Sequence, residues 1–323
     1  MATLVIGVGY IGSALVETLA RAGETVIGLD NWFSTPRAPL AALATHPRVH
    51  LLTADVTDPA AVDRALDRAP VETVYYLAAQ ASAHPAAAPP EYTEETNLRG
   101  PRLVLEALVR HRVPRFVYAS SLRVYGRPLP PVVHEDLPYG RLEDLAHLSK
   151  VYAEKLIEMY AWRHGLRARV VRLGLVYGLS PVMKEDPRFM TAPNRFCWQA
   201  VRGEPLVVSA EGEWPTGLIA VADAVQALRL AADLAPDEPY LVVNAAPEVA
   251  TIGEVAQQVA DLVAARGGRI PVARPGPPAT GPRPRILSRL DRVGFRATKS
   301  LPEGLDEVLA YFYRRPTAST VGR

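Results

Sequence analysis

Three glycines near the start of the chain constrain its fold more than any other feature. Gly7, Gly9 and Gly12 follow a short apolar run at residues 3–6 and open an amphipathic run at residues 11–22. The first run reads as a buried strand and the second as a helix. Each glycine then has its own reason: one permits a tight turn, one lets the backbone approach a pyrophosphate, and one allows close helix–strand packing. Phosphates would rest at the positive end of the helix. A second strand at residues 25–29 leads into Asp30. A carboxylate there accepts hydrogen bonds from ribose hydroxyls and repels a 2′-phosphate, which points to NAD rather than NADP. The plain alternative is a ligand-free glycine turn followed by an ordinary strand-end aspartate.

The same rhythm continues. Strands are expected at residues 49–52, 74–77, 115–119 and 168–172. Helices are expected at 59–68, opened by Asp58 as N-cap, at 95–111 and at 142–164. Short β-branched runs separated by helices predict a parallel sheet covered on both faces. The fold class is therefore α/β, a Rossmann-type doubly wound parallel sheet. After residue 174 the rhythm breaks. Residues 181–195 and 267–284 read as loops. Helices are expected at 194–202, 223–233, 303–313 and, capped by Thr251, through residue 265; short strands fall at 205–208, 217–221 and 240–244. A chain of 323 residues is long for one core. We expect an NAD-binding domain over 1–174, rejoined by a segment near 217–233, and a smaller C-terminal substrate-binding lobe over 175–323.

Charge excludes some partners. With 36 basic and 34 acidic residues the chain is near neutral and has no polybasic run, so nucleic acid and anionic membranes are poor matches. The single cysteine, Cys197, makes neither an intramolecular disulfide nor a zinc site, and no metal is expected. No apolar run approaches the roughly 20 residues of a membrane helix. Met1 leads straight into the first strand without a signal-peptide pattern. A cytoplasmic setting is the expectation.

Other strand ends add candidates. Asp55 and Val56 close the third strand, where the aspartate either reaches the adenine edge or begins the turn into Asp58. Leu77, Ala78, Ala79 and the residues to Ser82 close the fourth. Small side chains there let the backbone pass beneath a cofactor, and they also pack well anywhere.

These stretches, with Asn31, Asn97, residues 118–126, Ser149, Lys150, and residues 172–178 and 202–205, follow one another in a telling order. The chain resembles the extended short-chain dehydrogenase/reductases that modify nucleotide sugars, nearly end to end, with UDP-glucose 4-epimerases as the nearest general match. The resemblance implies a plan. NAD takes a hydride from a sugar carbon while a base takes the hydroxyl proton, and an epimerase returns the hydride to the other face. The family's trio is a Ser or Thr, a Tyr and a Lys, the last two spaced Tyr-x-x-x-Lys on one helix face. The lysine lowers the tyrosine pKa and binds the nicotinamide ribose.

Ser121 and Lys150 match this plan, but Ala146 stands where the tyrosine belongs. Asn97 matches a supporting asparagine, and His147 lies near the lysine's helical face. The implied catalytic set is Ser121, Lys150, Asn97 and His147. His147, Tyr125, Tyr139 in the preceding loop or a water held by Ser121 and Lys150 replaces the phenol, or His147 lies beside the site without acting. The implied cofactor residues are Gly7, Gly9, Tyr10, Ile11, Gly12, Asp30, Asn31, Asp55, Val56, Leu77, Ala78, Ala79 and Lys150. On the substrate side stand Arg123, Asn194 and Arg283, with Arg285 as an alternative to the last. Arg123 is either solvated or an anchor for an anionic group, which a guanidinium suits. Departures narrow the reaction. The family's first glycine is Ile6 here. The Asp-Glu pair of the dehydratases is replaced by Leu122 and Arg123, and the decarboxylases prefer a glutamate where Arg123 stands. In the family, helices equivalent to 95–111 and 142–164 pair about a two-fold axis, which implies a homodimer.

The leading reading is an NAD-dependent nucleotide-sugar epimerase. One rival is a net dehydrogenase or reductase that releases its cofactor after each turnover. Another is a degenerate NAD(H)- or sugar-nucleotide-binding protein that acts through a partner.

Overall fold

Ala2–Ile6, strand β1, is buried at every position, which suits only a strand with neighbours on both sides and cover on both faces. A computed structural model, which describes residues 1–81, 89–276 and 282–315, puts it there. Beside it run β2 (Thr25–Asp30) and β4 (Val71–Tyr76), with β3 (Val49–Thr53) beyond β2 and β5 (Arg115–Ser121) beyond β4. The shorter β6 (Val132–Val133) lies outside this sheet, and β7 (Arg167–Leu173) is inside it. Next in the chain come β8 (Leu175–Tyr177), β9 (Leu206–Val207), β10 (Thr216–Ala220), β11 (Tyr240–Ala245), β12 (Glu248–Ala250), β13 (Val272–Ala273) and β14 (Arg285–Ile286). The large sheet has seven strands in the order β11-β7-β5-β4-β1-β2-β3, and every pairing in it is parallel. The chain reverses its winding between β1 and β4, and the crevice at such a switch point is where ligands bind in open α/β sheets.

Helices α1 (Tyr10–Arg21), α2 (Ala41–Ala44), α3 (Pro59–Leu66), α4 (Pro90–Glu94), α5 (Gly100–Arg110) and α6 (Leu145–His164) belong to the first half. In the second half follow α7 (Ala192–Val201), α8 (Val221–Asp233), α9 (Ile252–Ala264) and α10 (Leu301–Arg314). α1 and α8 cover one face of the large sheet; α3, α5 and α6 cover the other. A separate core joins α7, α9 and α10 to β8 and β10. The small sheet β12-β10-β8 stands beside the large one. After β10 the chain returns to the large sheet through α8 and β11.

Local chemistry sets the helix ends. Asp58 caps α3 by accepting from the Ala60 N–H at 3.0 Å. Thr251 and Glu254 close a capping box at α9. α6 begins at Leu145, later than expected, because the Asp144 carboxylate takes the His147 N–H at 2.8 Å. The run expected at 95–111 starts earlier, at α4, where Pro90 fits a first helical turn. A π-helical turn, Glu95–Arg99, joins α4 to α5. β8 and β12 were not expected: each has only three residues, too few for a period to register. Residues 277–281 of the expected 267–284 loop, and Ser82, lie outside the described residues. Among the described residues no helix is long and apolar enough to cross a membrane.

Candidate active site

The glycine turn is built as its spacing demands. Gly7 has φ +91°, and a Cβ on it would lie 2.4 Å from the Ala78 nitrogen. A Cβ on Gly12 would lie 1.9 Å from the Gly7 carbonyl oxygen. Turn and packing therefore exclude side chains at both positions. Gly9 differs: the nearest atoms to a Cβ there are Thr35 Oγ1 at 3.4 Å and Lys184 Nζ at 3.6 Å, so its surface opens on the crevice. α1 has no side-chain cap and no acidic residue in its first turn, leaving N–H groups for an anion. This cradle fits the pyrophosphate of NAD. Leu77 and Ala78 both donate their N–H to the Ile6 carbonyl, at 2.8 and 2.9 Å, which holds the end of β4 against the turn.

Asp30 does more than its position suggested. Its carboxylate accepts from the Val8 N–H at 2.7 Å and the Trp32 N–H at 2.6 Å, tying the glycine turn to the end of β2. Burial raises its pKa, against the pull of these two bonds and of Lys184. Asp55 takes the turn alternative: Oδ1 accepts from the Thr57 N–H at 2.9 Å and Thr57 Oγ1 at 2.7 Å, and Oδ2 from Asn31 Nδ2 at 2.7 Å. Three expected cofactor residues turn their side chains elsewhere. The Val56 side chain is buried in the core. The Tyr10 side chain is partly buried, and its hydroxyl donates to the Gly178 carbonyl at 2.6 Å. Ile11, in the first turn of α1, packs its side chain against the core, and the backbone N–H groups of Tyr10 and Ile11 stay with the uncapped helix end.

At the other end of the crevice, β5 delivers Ser121 to a helical turn, Leu122–Tyr125. Ser121 Oγ accepts from the Arg123 N–H at 3.2 Å. From α6, Lys150 Nζ donates to the Ala119 carbonyl at 2.8 Å and lies 4.7 Å from the centre of the Tyr118 ring. The fold thus brings Ser121 and Lys150 to the same strand end. Burial pulls the Lys150 pKa down to about 8, with Glu154 opposing. Ala146 lies one helical turn before Lys150, and its carbonyl accepts from Ser149 Oγ at 2.7 Å.

The remaining candidates are committed elsewhere. Asn97 donates to the Gln80 carbonyl and accepts from the Gln80 N–H, both at 2.8 Å, and donates to Ser149 Oγ at 3.1 Å. It braces β4 against α6 and is a positioning residue. His147 Nδ1 pairs with Asp144 at 2.6 Å. Burial works against the Asp144 charge, yet its bonds to His147 outweigh it and lower its pKa. Tyr125 accepts from Arg172 Nη1 at 2.6 Å and donates to Asn244 Oδ1 at 2.9 Å; burial raises its pKa. Tyr139 donates to Glu154 Oε2 at 3.2 Å, and burial with the Glu154 charge raises it as well.

Sequence reading missed the buried group behind the site. Arg172 Nη2 pairs with Glu154 Oε2 at 2.6 Å, and Ser120 Oγ donates to Glu154 Oε1 at 2.5 Å. The available signal was Glu154 itself, four residues after Lys150 on the same helix face.

On the substrate side, Arg123 stands two residues after Ser121, and its Nε and Nη1 are buried without a hydrogen-bond partner. Such a group calls for an anion or a polar ligand. Asn194 is a correction: its amide is spent on the N–H and carbonyl of Gly178, at 3.1 and 3.5 Å. Arg283 is another: it binds the Val249 carbonyl at 2.8 Å and pairs with Glu254, both in the second lobe. Arg285 lies on β14, paired with β6.

The sequence and fold match known proteins. Residues 3–246 match the NAD dependent epimerase/dehydratase family. The chain is 29% identical to UDP-glucuronic acid decarboxylase 1 of Danio rerio over 321 residues, covering 95% of this chain and 71% of that protein. It is 31% identical to UDP-glucuronic acid decarboxylase 6 of Arabidopsis thaliana over 263 residues, 80% of this chain and 72% of that protein. The solved UDP-glucose 4-epimerase of Thermus thermophilus, a complex with NAD, superposes with a TM-score of 0.78 at 27% identity, covering 97% of this chain and 99% of that one.

Proposed function

Because the chain belongs to the NAD-dependent epimerase/dehydratase family, we propose that it inverts a carbon of a nucleotide-linked sugar through a transient keto-sugar and retains its cofactor throughout. NAD, when bound, supplies a reversible hydride acceptor. The observation that carries the reading is that Lys150 bonds the Ala119 carbonyl of β5, two residues before Ser121 at the end of that strand. Ala146 takes the place of the family's phenol, and the substitutes are occupied: Tyr125 by Arg172 and Asn244, Tyr139 by Glu154. The His147 ring is turned to Asp144. Proton transfer then falls to a water held between the Ser121 hydroxyl and Lys150. A lysine with its pKa lowered to about 8 exchanges protons near neutrality far more readily than an ordinary one. The buried Nε and Nη1 of Arg123, which have no hydrogen-bond partner among the described residues, favour a sugar with its own carboxylate, a nucleotide-linked uronate, because a planar fork matches that group.

Turnover of UDP-glucuronate by the parent, Lys150→Ala and Ala146→Tyr tests this. A positioned acid or base contributes about 10²–10⁴-fold, so Lys150→Ala should lose at least about 100-fold. Ala146→Tyr should not gain. A robust parent activity untouched in Lys150→Ala rules out this site, and a large gain in Ala146→Tyr identifies a decayed enzyme instead.

A further inference from the structure

Lys184 belongs to the loop between β8 and α7, yet its ammonium stands in the cofactor crevice. Nζ donates to the Ser34 carbonyl at 2.7 Å and to Ser34 Oγ at 2.9 Å. It lies 3.6 Å from where a Cβ on Gly9 would be, at the one glycine whose surface is open. An ammonium has three hydrogens, so one remains after Ser34. The loop that carries it is pinned to α1: Ser180 Oγ donates to the Tyr10 carbonyl at 2.5 Å, and the Val182 N–H to Ser13 Oγ at 3.2 Å. Lys184 is therefore fixed relative to the glycine turn.

The charges around it are unbalanced. Burial lowers the Lys184 pKa to about 8, with Asp30 as the opposing charge. Both Asp30 oxygens are already engaged by the Val8 and Trp32 N–H groups. The uncapped N-terminus of α1 carries partial positive charge toward the same space. A desolvated ammonium facing a positive helix end is unfavourable until an anion enters between them.

We infer that Lys184 binds the pyrophosphate of NAD from the second-lobe side, so that the cofactor is gripped by both lobes. This rests on the NAD binding of the family and not on the epimerase reading. It gives the retention of NAD a structural cause: release requires the second-lobe loop to let go as well as the glycine turn.

Binding of ADP-ribose and of adenosine to the full-length, nucleotide-free protein tests the assignment by calorimetry. A charged hydrogen bond contributes about 1.5–3 kcal/mol, roughly 10–150-fold in affinity. Lys184→Met should weaken ADP-ribose by about that factor and leave adenosine, which has no phosphate, unchanged. Equal losses for both ligands would show that Lys184 only supports the Ser34 turn; no loss for either would remove it from the site. Should Lys184→Met not fold, pH replaces it as the probe. From pH 7 to 9, ADP-ribose affinity should fall more steeply in the parent than in Lys184→Arg, whose charge persists, the titration of Lys150 being common to both. Parallel profiles overturn the assignment.

Discussion

Lys150 illustrates a residue whose chemistry is bought with stability. Its pKa of about 8 in the folded chain lies below the ordinary 10.5. Between those values the unfolded chain binds more protons than the folded one, so stability rises with pH across that window. The penalty is fully present below about pH 8 and gone above 10.5. Removing the charge without leaving a void should therefore stabilise the protein at neutral pH. Lys150→Met should melt roughly 2–4 °C above the parent at pH 7 for each kcal/mol recovered, and the gap should close toward pH 10.5. Thermal denaturation across that range checks both sign and window. A Lys150→Met variant that melts lower at pH 7 would mean that the bond to the Ala119 carbonyl outweighs the cost of burying the charge.

Among the elements, α6 carries the site on one face and an unexplained apolar stripe on another. Leu148, Tyr152, Met159 and Trp162 are all exposed, Trp162 by 67%. At 100° per residue these four fall within one narrow sector of the helix. Large apolar groups gathered on one solvent face mark an interaction surface. We propose that α6 pairs with its copy about a two-fold axis, which would set the two sites on opposite sides of a shared helical layer. Light scattering at micromolar concentration should give twice the chain mass for the parent and the single-chain mass for Trp162→Glu. A monomeric parent removes the proposal.

Across the whole molecule, what was legible in the sequence is what local chemistry decides. The glycine turn, the caps at Asp58 and Thr251, and the position of Asp30 all depend on residues a few positions apart, and their spacing is readable. Tyr10 and Gly178 are 168 residues apart, and Tyr125 and Asn244 are 119 apart. No periodicity announces such contacts, so residue type and neighbourhood point Tyr10 and Tyr125 toward the crevice, whereas the fold commits both hydroxyls to partners in the second half of the chain. Asn194 and Arg283 go the same way, each absorbed by second-lobe backbone. Arg123 keeps its candidacy because nothing in the described chain satisfies it. The proposed chemistry is epimerisation of a nucleotide-linked uronate with a cofactor that the protein does not surrender. Proton NMR of UDP-glucuronate incubated with the purified protein without added NAD, with absorbance at ~340 nm recorded in parallel, measures it. The expected result is a growing epimeric uronate, formed faster than the corresponding epimer of UDP-glucose, with no accumulation of NADH. A UDP-pentose product with release of carbon dioxide, or NADH formed in step with substrate loss, would contradict it.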